Sequence, residues 1–263
     1  MFKNIELYVN CSKEKALESA SIVKEKFLTS GFNIVNDTNV TPDVVIGFGG
    51  DGTLLRWLKE NKFNTTSKYI GINCGTLGFL QDVSLNEILN FHKTQNNFKE
   101  EKLFFIDIEI IENEKVFKFH ALNEFNIETE GCFRTKVEVD GYFLENFTGT
   151  AILFASPTGS TARNLSAGGC ILVPDLEVFQ MTPREATVNS KMRSLQKSIC
   201  FTKNQIVSLY PNDKNQITIK ADGYTVFKGN YSKINISYSN KYLARLTDSK
   251  YNFITKVREK LIE

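Results

Sequence analysis

The chain has 263 residues, of which 41% are hydrophobic and 24% are charged, and its formal net charge is +2. This composition is typical of a soluble globular protein, and the length allows two packed domains, each with its own core. The small net charge excludes a general attraction to nucleic acid or to acidic membranes, so any site for an anion must be local.

Neither a secretory leader nor a membrane span is predicted. The first residues, MFKNIELYVN, contain no long apolar stretch, and no later stretch approaches the ~18 apolar residues of a span. The expected location is therefore cytoplasmic. The five cysteines are scattered and lack any C-x-x-C spacing, which predicts reduced thiols of the core type. With only two histidines, His92 and His120, a zinc site or a histidine-based triad is poorly supplied.

Strand and helix patterns alternate over the first hundred residues. Strands are predicted for KNIELYVN, FNIVND, DVVIGFG and KYIGINCG. Helices are predicted for TLLRWLKEN, for LNEILNFHKT and for a segment running from Ser12, its expected N-cap, toward Gly31. The alternation implies parallel crossovers, and therefore an α/β, Rossmann-like domain with a parallel sheet over residues 1–100.

Strand patterns dominate after residue 100. They include KLFFIDIEII, KVFKFHALNEFNIET, TKVEVDGYFLENF, TAILFASP, QIVSLYP, NQITIKADGYTVFKG, SKINISYS and KYLARLT, with one helix-like interruption near 159–169. Alternation between turn residues predicts an antiparallel β-rich domain over residues 101–245. The tail, 246–263, is predicted to be an amphipathic helix that packs on the first domain. Phe133, Tyr142, Phe143 and Phe147 are assigned to the core in preference to a subunit contact.

The segment IGFGGDGTLL, residues 46–55, has the G-x-G-x-x-G spacing of a dinucleotide-binding turn between a strand and a helix. A Rossmann oxidoreductase is one candidate, but the stretch about 20 residues further on offers Asn73 and no acid for the ribose. Asp51 also stands where a diphosphate would approach. A carboxylate ~4 Å from a phosphate charge is repelled by about 4 kcal/mol at an effective dielectric constant of about 20. A cation such as Mg²⁺, or a hydroxyl whose proton Asp51 accepts, would explain the carboxylate, and phosphoryl transfer to a hydroxyl supplies both. The alternative is a tight turn in which Asp51 and Thr53 only cap the helix.

Three further polar clusters each have a structural alternative. SPTGSTARNLSAGG, residues 156–169, offers hydroxyls and backbone donors to phosphates and sugars, or forms only a turn and an N-cap. In ALNEF, Asn123 and Glu124 interrupt an apolar strand. A strand end or bulge could direct both at one ligand, and the alternative is an exposed edge strand. In KADGYTV, Asp222-Gly223 is first of all a hairpin turn signal.

Together these residues resemble the NAD kinase family, within the superfamily that also contains diacylglycerol-type lipid kinases. The resemblance spans most of the chain and follows its order. The matching motifs are GGDGT at 49–53, GTLGFL at 75–80, LNE at 122–124, PTGSTA…SAGG at 157–169 and ADG at 221–223. GGDGT alone would not separate the two kinase groups, whereas LNE together with TGSTA indicates the NAD kinases.

The resemblance implies an α/β domain joined to a β-rich domain with the site in the cleft, and a homo-oligomer, dimer or tetramer. It implies phosphoryl transfer from ATP, in some members also polyphosphate, to the adenosine 2′-hydroxyl of NAD with a divalent metal such as Mg²⁺. No residue of this chain is assigned as a metal ligand. Asp51 would be the base that takes the hydroxyl proton. The other expected site residues are Gly49, Gly50, Gly52 and Thr53 in the phosphate turn, Arg56 one helical turn further on, Asn123 and Glu124 at ribose hydroxyls, Thr161, Ala162, Asn164 and Ser166 beside the adenosine, Arg134 near the pyrophosphate, and Asp222.

The chain departs from the family pattern at two positions. Thr150 stands where many members have the aspartate of a GDG motif that should contact the nicotinamide side. Arg163 replaces the tyrosine that usually follows TGSTA near the adenine, although a guanidinium can also stack on a base. These departures leave the preference between NAD and NADH open. The alternative functions are a kinase of the same superfamily with another hydroxyl acceptor, and a non-catalytic NADP(H)-binding regulator.

Overall fold

The computed structural model describes residues 2–35, 40–75, 78–190, 193–248 and 250–263. The chain divides into two compact units: unit 1 is Met1–Leu103 with Leu243–Glu263, and unit 2 is Phe104–Tyr242. Among the described residues, no helix is long and apolar enough to cross a membrane. Thr76 and Leu77 of the GTLGFL motif, and the last two residues of the predicted strand FNIVND, lie outside the described residues.

Strands and helices are numbered separately in chain order. The strands are β1 Asn4–Val9, β2 Asn33–Ile34, β3 Val44–Gly49, β4 Lys68–Asn73, β5 Lys99–Glu112, β6 Lys115–Ala121, β7 Glu124–Val139, β8 Tyr142–Ala155, β9 Val178–Arg184, β10 Ile199–Thr202, β11 Ile206–Pro211, β12 Ile217–Ala221, β13 Tyr224–Gly229 and β14 Lys233–Thr247. The helices are α1 Glu14–Thr29, α2 Asp51–Glu60, α3 Leu85–Leu89, α4 Phe91–Thr94, α5 Arg163–Ser166 and α6 Phe253–Leu261, with 3-10 turns at Gln95–Asn97 and Thr158–Thr161.

Parallel strands form the centre of unit 1 in the order β2-β1-β3-β4, and the end of β14 joins them where Arg245 pairs with Tyr69. β3 is buried along its whole length, as expected of a parallel strand covered on both faces. The predicted α/β character of this part of the chain is confirmed. Parallel strands end at the same edge of a sheet, so the segments after β3 and β4 lie close together, and the amide of Cys74 donates to the carbonyl of Gly49. Open α/β sheets bind their ligands at this edge.

Two helix predictions in unit 1 need correction. α1 begins at Glu14 with Lys13 as its N-cap and without a capping side chain, and the hydroxyl of Ser12 donates to Asn10 Oδ1. The predicted helix LNEILNFHKT is two short helices, α3 and α4, that break at Asn90.

Antiparallel strands form unit 2, which confirms the predicted β-rich character. β10, β9, β8, β7, β11 and β14 follow one another, β12 and β13 form a hairpin beside β7, and β5 pairs with β6 and β14. The first half of β7 pairs with β12 and the second half with β11. The register of β7 against β8 shifts between Glu128 and Phe133. Apolar side chains of these strands form the core of unit 2, with Phe125, Phe147 and Phe154 fully buried.

Two predictions about side chains were only partly right. Phe133 and Phe147 are buried as expected, but Tyr142 and Phe143 are 80% and 61% exposed, because they directly follow the turn Asp140-Gly141 that joins β7 to β8. All five cysteines are free, but only Cys74 is buried, so the assignment of the others to the core was wrong.

Candidate active site

The glycine turn follows β3 and leads into α2. A Cβ atom built on Gly47 would lie 1.7 Å from the Tyr69 hydroxyl oxygen, and one on Gly49 would lie 2.0 Å from Thr53 Oγ1. These two glycines therefore let neighbouring side chains of the protein approach the backbone. For Gly52, by contrast, no atom of the described residues outside its own helix backbone lies within 4 Å of such a Cβ, so the open part of the turn is its second half.

The helix-capping interpretation holds for Thr53 and fails for Asp51. Thr53 Oγ1 accepts a hydrogen bond from the backbone amide of Gly50 at 3.2 Å. The Asp51 carboxylate instead accepts two amides from outside the helix: Phe79 N–H donates to Oδ2 at 2.8 Å and Leu80 N–H to Oδ1 at 2.9 Å. Asp51 is thus fixed by the segment that follows β4, at the edge where ligands bind.

The electrostatic environment of Asp51 is balanced between burial and positive charge. Burial raises the pKa of the Asp51 carboxyl above its ordinary value, and the two backbone amides and the charges of Arg245 and Lys256 oppose this shift. Asp51 as a whole residue is nevertheless only half-buried. A carboxylate of this kind is accessible and has a strengthened affinity for a proton, which are the properties of a general base.

Two cations near the turn were not predicted. Arg245 is 1% exposed and donates from Nη1 to the carbonyl oxygen of Phe79 at 2.8 Å. Its position in the apolar strand segment KYLARLT was the available signal, since a charged residue is rarely fully buried without a partner. The ammonium of Lys13 lies 4.0 Å from a Cβ built on Gly50 and 3.0 Å from one built on Gly75. Arg56, which was predicted, is on the exposed side of α2.

In unit 2, Asp222 organises the LNE segment. Its carboxylate accepts the backbone amides of Leu122 at 2.9 Å, Asn123 at 2.7 Å and Glu124 at 3.2 Å, and its own amide donates to the carbonyl of Glu124. The hairpin prediction is confirmed as well, because Asp222 and Gly223 join β12 to β13 with positive φ angles of 49° and 85°. One residue therefore forms a turn and fixes the start of β7.

The TGSTA segment packs against LNE. Ser156 Oγ donates to the carbonyl of Leu122 and accepts the amide of Gly159. A Cβ built on Gly159 would lie 1.9 Å from the carbonyl oxygen of Asn123, so only glycine fits there. The structure thus brings together three of the motifs that were separate in the sequence: LNE, PTGSTA and ADG.

Asn123 and Glu124 present buried acceptors at the start of β7. Asn123 is 8% and Glu124 5% exposed, which excludes the alternative of an exposed edge strand. Among the described residues, neither Asn123 Oδ1 nor Glu124 Oε2 has a hydrogen-bond partner. Burial, with the nearby charge of Asp222, raises the pKa of Glu124 to about 7, while Arg163 opposes the shift. Buried acceptors without partners indicate a ligand that donates hydrogen bonds.

The remaining predicted residues of this cluster differ in accessibility. Thr161 and Ala162 are half-buried, while Arg163 and Ser166 are exposed at α5. Asn164 is fully buried, and its Oδ1 accepts a hydrogen bond from Thr182 Oγ1 at 2.7 Å. This bond connects α5, directly after the TGSTA segment, to β9. Burial raises the pKa of Glu128, but hydrogen bonds with Lys220 and Asn126 and the charges of Lys220 and Arg163 together hold it below its ordinary value. Arg163 therefore acts on both Glu124 and Glu128, whose side chains share one face of β7.

Two further residues lie apart from these motifs. Arg134 is ten residues further along β7 than Glu124, and its side chain is exposed. Thr150, on β8, directs its hydroxyl to the carbonyl of Arg184 at 3.4 Å. The structure therefore does not bring Arg134 together with LNE and TGSTA in unit 2.

The described part of the chain offers no ligand set for a resident metal ion. Within the ranges that the structure describes, no group of three or more His, Cys, Asp or Glu side chains could hold a metal ion. A Mg²⁺ ion that accompanies ATP needs fewer protein ligands, because the phosphates supply several of its oxygens.

These features define a class: an α/β unit with a glycine turn between a buried parallel strand and a helix and with a fixed carboxylate, followed by a β-rich unit. The family model of the ATP-NAD kinase C-terminal domain matches residues 122–246. The NAD kinase of Finegoldia magna is 34% identical, over 99% of this chain and 98% of that protein. The NAD kinase of Fusobacterium nucleatum is 33% identical, over 98% and 96%. The chain belongs to the NAD kinase family.

Solved structures share the fold. Yeast NADH kinase complexed with NADH superposes with a TM-score of 0.82 at 19% identity, covering 99% of this chain and 87% of that one. An NAD kinase from Archaeoglobus fulgidus in complex with ATP gives a TM-score of 0.75 at 20% identity, covering 98% and 99%. These similarities bear on the fold, and they agree with the α/β and β-rich parts described above.

Proposed function

We propose that this chain transfers the γ-phosphoryl group of ATP to the adenosine 2′-hydroxyl of NAD, giving NADP and ADP. Membership of the NAD kinase family supports the reaction. The observation that supports it most directly is the Asp51 carboxylate, which two backbone amides orient beside the open half of the glycine turn. A polyphosphate donor and an NADH acceptor remain alternatives within the same reaction type.

In this proposal Asp51 is the general base. Each of its carboxylate oxygens accepts one backbone amide and keeps a further lone pair, which accepts the proton of the 2′-hydroxyl. The hydroxyl oxygen forms a bond to the γ-phosphorus while the bond from that phosphorus to the β–γ bridging oxygen breaks. ADP leaves with the electron pair of that bond.

The donor's phosphates are proposed to contact the open stretch Gly50–Gly52 and the amides at the start of α2, where the helix dipole favours negative charge. The ammonium of Lys13 lies close enough to this stretch to join them. Gly49 and Thr53 shape the turn from within. Arg56 stays a prediction, as an exposed residue one helical turn further on.

In unit 2, Asn123 and Glu124 are proposed to accept hydrogen bonds from ribose hydroxyls, because their buried oxygens otherwise lack donors among the described residues. Thr161, Ala162, Arg163 and Ser166 are proposed to line the adenosine, with Asn164 supporting them and Asp222 holding LNE in place. Arg134 stays a prediction for a contact with the pyrophosphate.

Four further features belong to the proposal. Mg²⁺ enters as part of the MgATP substrate. The protein acts in the cytoplasm and as a homo-oligomer, for which the exposed Tyr142 and Phe143 offer an apolar surface. The domain boundaries near residues 100 and 245, with the tail helix on the first domain, also stay predictions.

A direct assay tests the proposed function. Purified protein is incubated with ATP, Mg²⁺ and NAD, and NADP is measured with an NADP-specific dehydrogenase. Formation of NADP that requires all three is the expected result. Tight NADP binding without turnover would favour the regulatory alternative, and activity on a lipid or another alcohol in place of NAD would favour a related kinase.

The affinity for NAD is expected to rise with pH because of Glu124. In the ligand-free protein, burial raises the pKa of the Glu124 carboxyl to about 7. Hydrogen bonds from ribose hydroxyls stabilise the ionised carboxylate, so NAD binding lowers that pKa. The Kd for NAD should fall about tenfold as the pH rises through 7 and level off above it. This corresponds to a decrease of about one unit in the pKa of Glu124 on binding, because one pKa unit equals a factor of ten in affinity.

Glu124→Gln serves as the control for this pH dependence, which it should largely abolish. Burial raises the pKa of Asp222 to about 6, so its ionisation leaves a smaller residual rise of NAD affinity with pH in this variant.

The ligand-free wild type should also lose stability as the pH rises from the ordinary glutamate pKa through 7, because over that interval the folded state binds a proton at Glu124 that the unfolded state has lost. Titration calorimetry and thermal melts measure both effects, and a Kd for NAD that stays constant in the wild type would contradict the role of Glu124.

A further inference from the structure

A single peptide group connects Asp51 to Arg245 inside unit 1. The carbonyl oxygen of Phe79 accepts a hydrogen bond from Arg245 Nη1 at 2.8 Å. The amide of Leu80, at the other end of the same planar peptide, donates to Asp51 Oδ1 at 2.9 Å. Hydrogen bonds in such a chain polarise one another, so the guanidinium charge strengthens the bond from this amide to the carboxylate.

Arg245 is itself held in one orientation. Its side chain is 1% exposed, and its backbone pairs with Tyr69. Glu101 Oε2 accepts a hydrogen bond from Nε at 2.8 Å and forms an ion pair with Nη2 at 2.6 Å. The Tyr251 ring centre lies 4.8 Å from the guanidinium carbon, and Asp82 Oδ1 lies 3.6 Å from Nη1. A guanidinium fixed on several sides can direct the remaining N–H group at one carbonyl.

We propose that Arg245 is a positioning residue for Asp51, which it holds in its reactive orientation through the Phe79–Leu80 peptide group. This inference rests on the proposed function, because the orientation of Asp51 affects turnover only if Asp51 is the base. A base must lie within hydrogen-bond reach of the hydroxyl and point at it, so a small rotation of the carboxylate lowers the rate of proton transfer.

The charges around Asp51 give the proposal a measurable signature. Arg245 and Lys256 are the cations whose charges lower the pKa of Asp51 against the effect of burial. Asp82 and Glu101 are the acids facing Arg245, and burial also raises the pKa of Asp82. A neutral residue at position 245 removes one of the two cations, so the pKa of Asp51 should rise. Because the base is inactive when protonated, the pH below which kcat falls should then be higher than in the wild type. Lysine keeps the charge but cannot form the same fork of hydrogen bonds.

The test measures kcat, the KM for NAD and the pH profile of kcat with ATP and Mg²⁺. Arg245→Lys should lower kcat about tenfold while the KM for NAD and the acid midpoint of the profile stay unchanged. Arg245→Met should lower kcat about a hundredfold and move the acid midpoint up by about one pH unit. Val23→Ala, in the buried face of α1, is the matched control that loses stability in the same unit without touching the Phe79–Leu80 peptide, and its kcat below the melting temperature should be unchanged.

The remaining outcomes are judged by the same two measurements, kcat and the acid midpoint of its pH profile. Arg245 variants with the kcat and acid midpoint of Val23→Ala would overturn the positioning role. If Arg245→Met does not fold, Arg245→Lys and Glu101→Gln, which loosens the fork, decide the question. Asp51→Asn, measured alongside, separates the two hypotheses: full activity of that variant refutes the base assignment, whereas its inactivity beside unaffected Arg245 variants refutes only the positioning role.

Discussion

Asp51→Asn is expected to lower kcat by about 10²–10⁴-fold while NAD still binds, because a neutral amide cannot accept the hydroxyl proton. The substitution also turns an NH₂ group toward the amide of Phe79 or Leu80, so one of the two backbone hydrogen bonds is lost. Turnover is measured by NADP formation, and NAD binding by titration calorimetry. A variant that kept near-wild-type kcat would show that another group accepts the proton.

Asp43 offers a matched control for this first prediction. Its carboxylate also accepts two backbone amides in unit 1, from Lys3 at 2.7 Å and Asn4 at 2.9 Å, but it is not among the proposed site residues. Both amides donate to the single oxygen Oδ2, which the amide oxygen of asparagine can replace, so Asp43→Asn tests the loss of a backbone-bonded carboxylate charge in unit 1 and should leave kcat unchanged. Loss of turnover in both variants would attribute the effect of Asp51→Asn to structure and not to proton transfer.

Asp222→Ala is expected to destabilise the fold by about 3 kcal/mol and to raise the KM for NAD at least tenfold. Three amides, those of Leu122, Asn123 and Glu124, would lose their acceptor, and each buried unsatisfied donor costs about 1–3 kcal/mol. The positive φ of 49° at position 222 adds strain for alanine. Urea unfolding and steady-state kinetics measure the two effects.

Asp140, in the hairpin turn Asp140-Gly141, is a control that distinguishes the loss of a turn residue from the loss of a site residue. Asp140 also has a positive φ, 52°, and accepts one amide, that of Ile206 at 2.9 Å, in an exposed position. Asp140→Ala should therefore cost about 1 kcal/mol of stability and leave the KM for NAD unchanged. Equal effects of the two substitutions on the KM would mean that Asp222 acts only as a turn residue.

Sequence periodicity predicted the local elements of this fold well, because one-sided burial leaves a regular pattern. The buried face of α1 and the apolar run of β3 are examples. β9 was missed since Pro183 argues against a strand that pairs on both sides, and nothing local shows that β8 and β10 flank it. Long strands such as β14 were divided in two, because Asn240 and Lys241 interrupt the apolar alternation where the strand is exposed.

The candidate site was predictable to the extent that its residues form contiguous motifs. Asp51, Asn123 and Glu124 were found because each interrupts an apolar or glycine-rich stretch. The contacts that fix them were not, since Phe79 is 28 residues from Asp51 and Asp222 is 99 residues from Asn123. Arg245, more distant still, has no motif. Only tertiary packing shows which backbone amides lie opposite a carboxylate.

Unit 1 is assembled from both ends of the chain, whereas unit 2 is one continuous segment, Phe104–Tyr242. During synthesis, unit 2 leaves the ribosome before Leu243–Glu263, so it can fold while unit 1 still lacks the strand segment that contains Arg245. The peptide that orients Asp51 gains its arginine only after the whole of unit 2 has been synthesised. Nascent chains stalled before residue 243 are therefore expected to have a protease-resistant β-rich segment and no kinase activity.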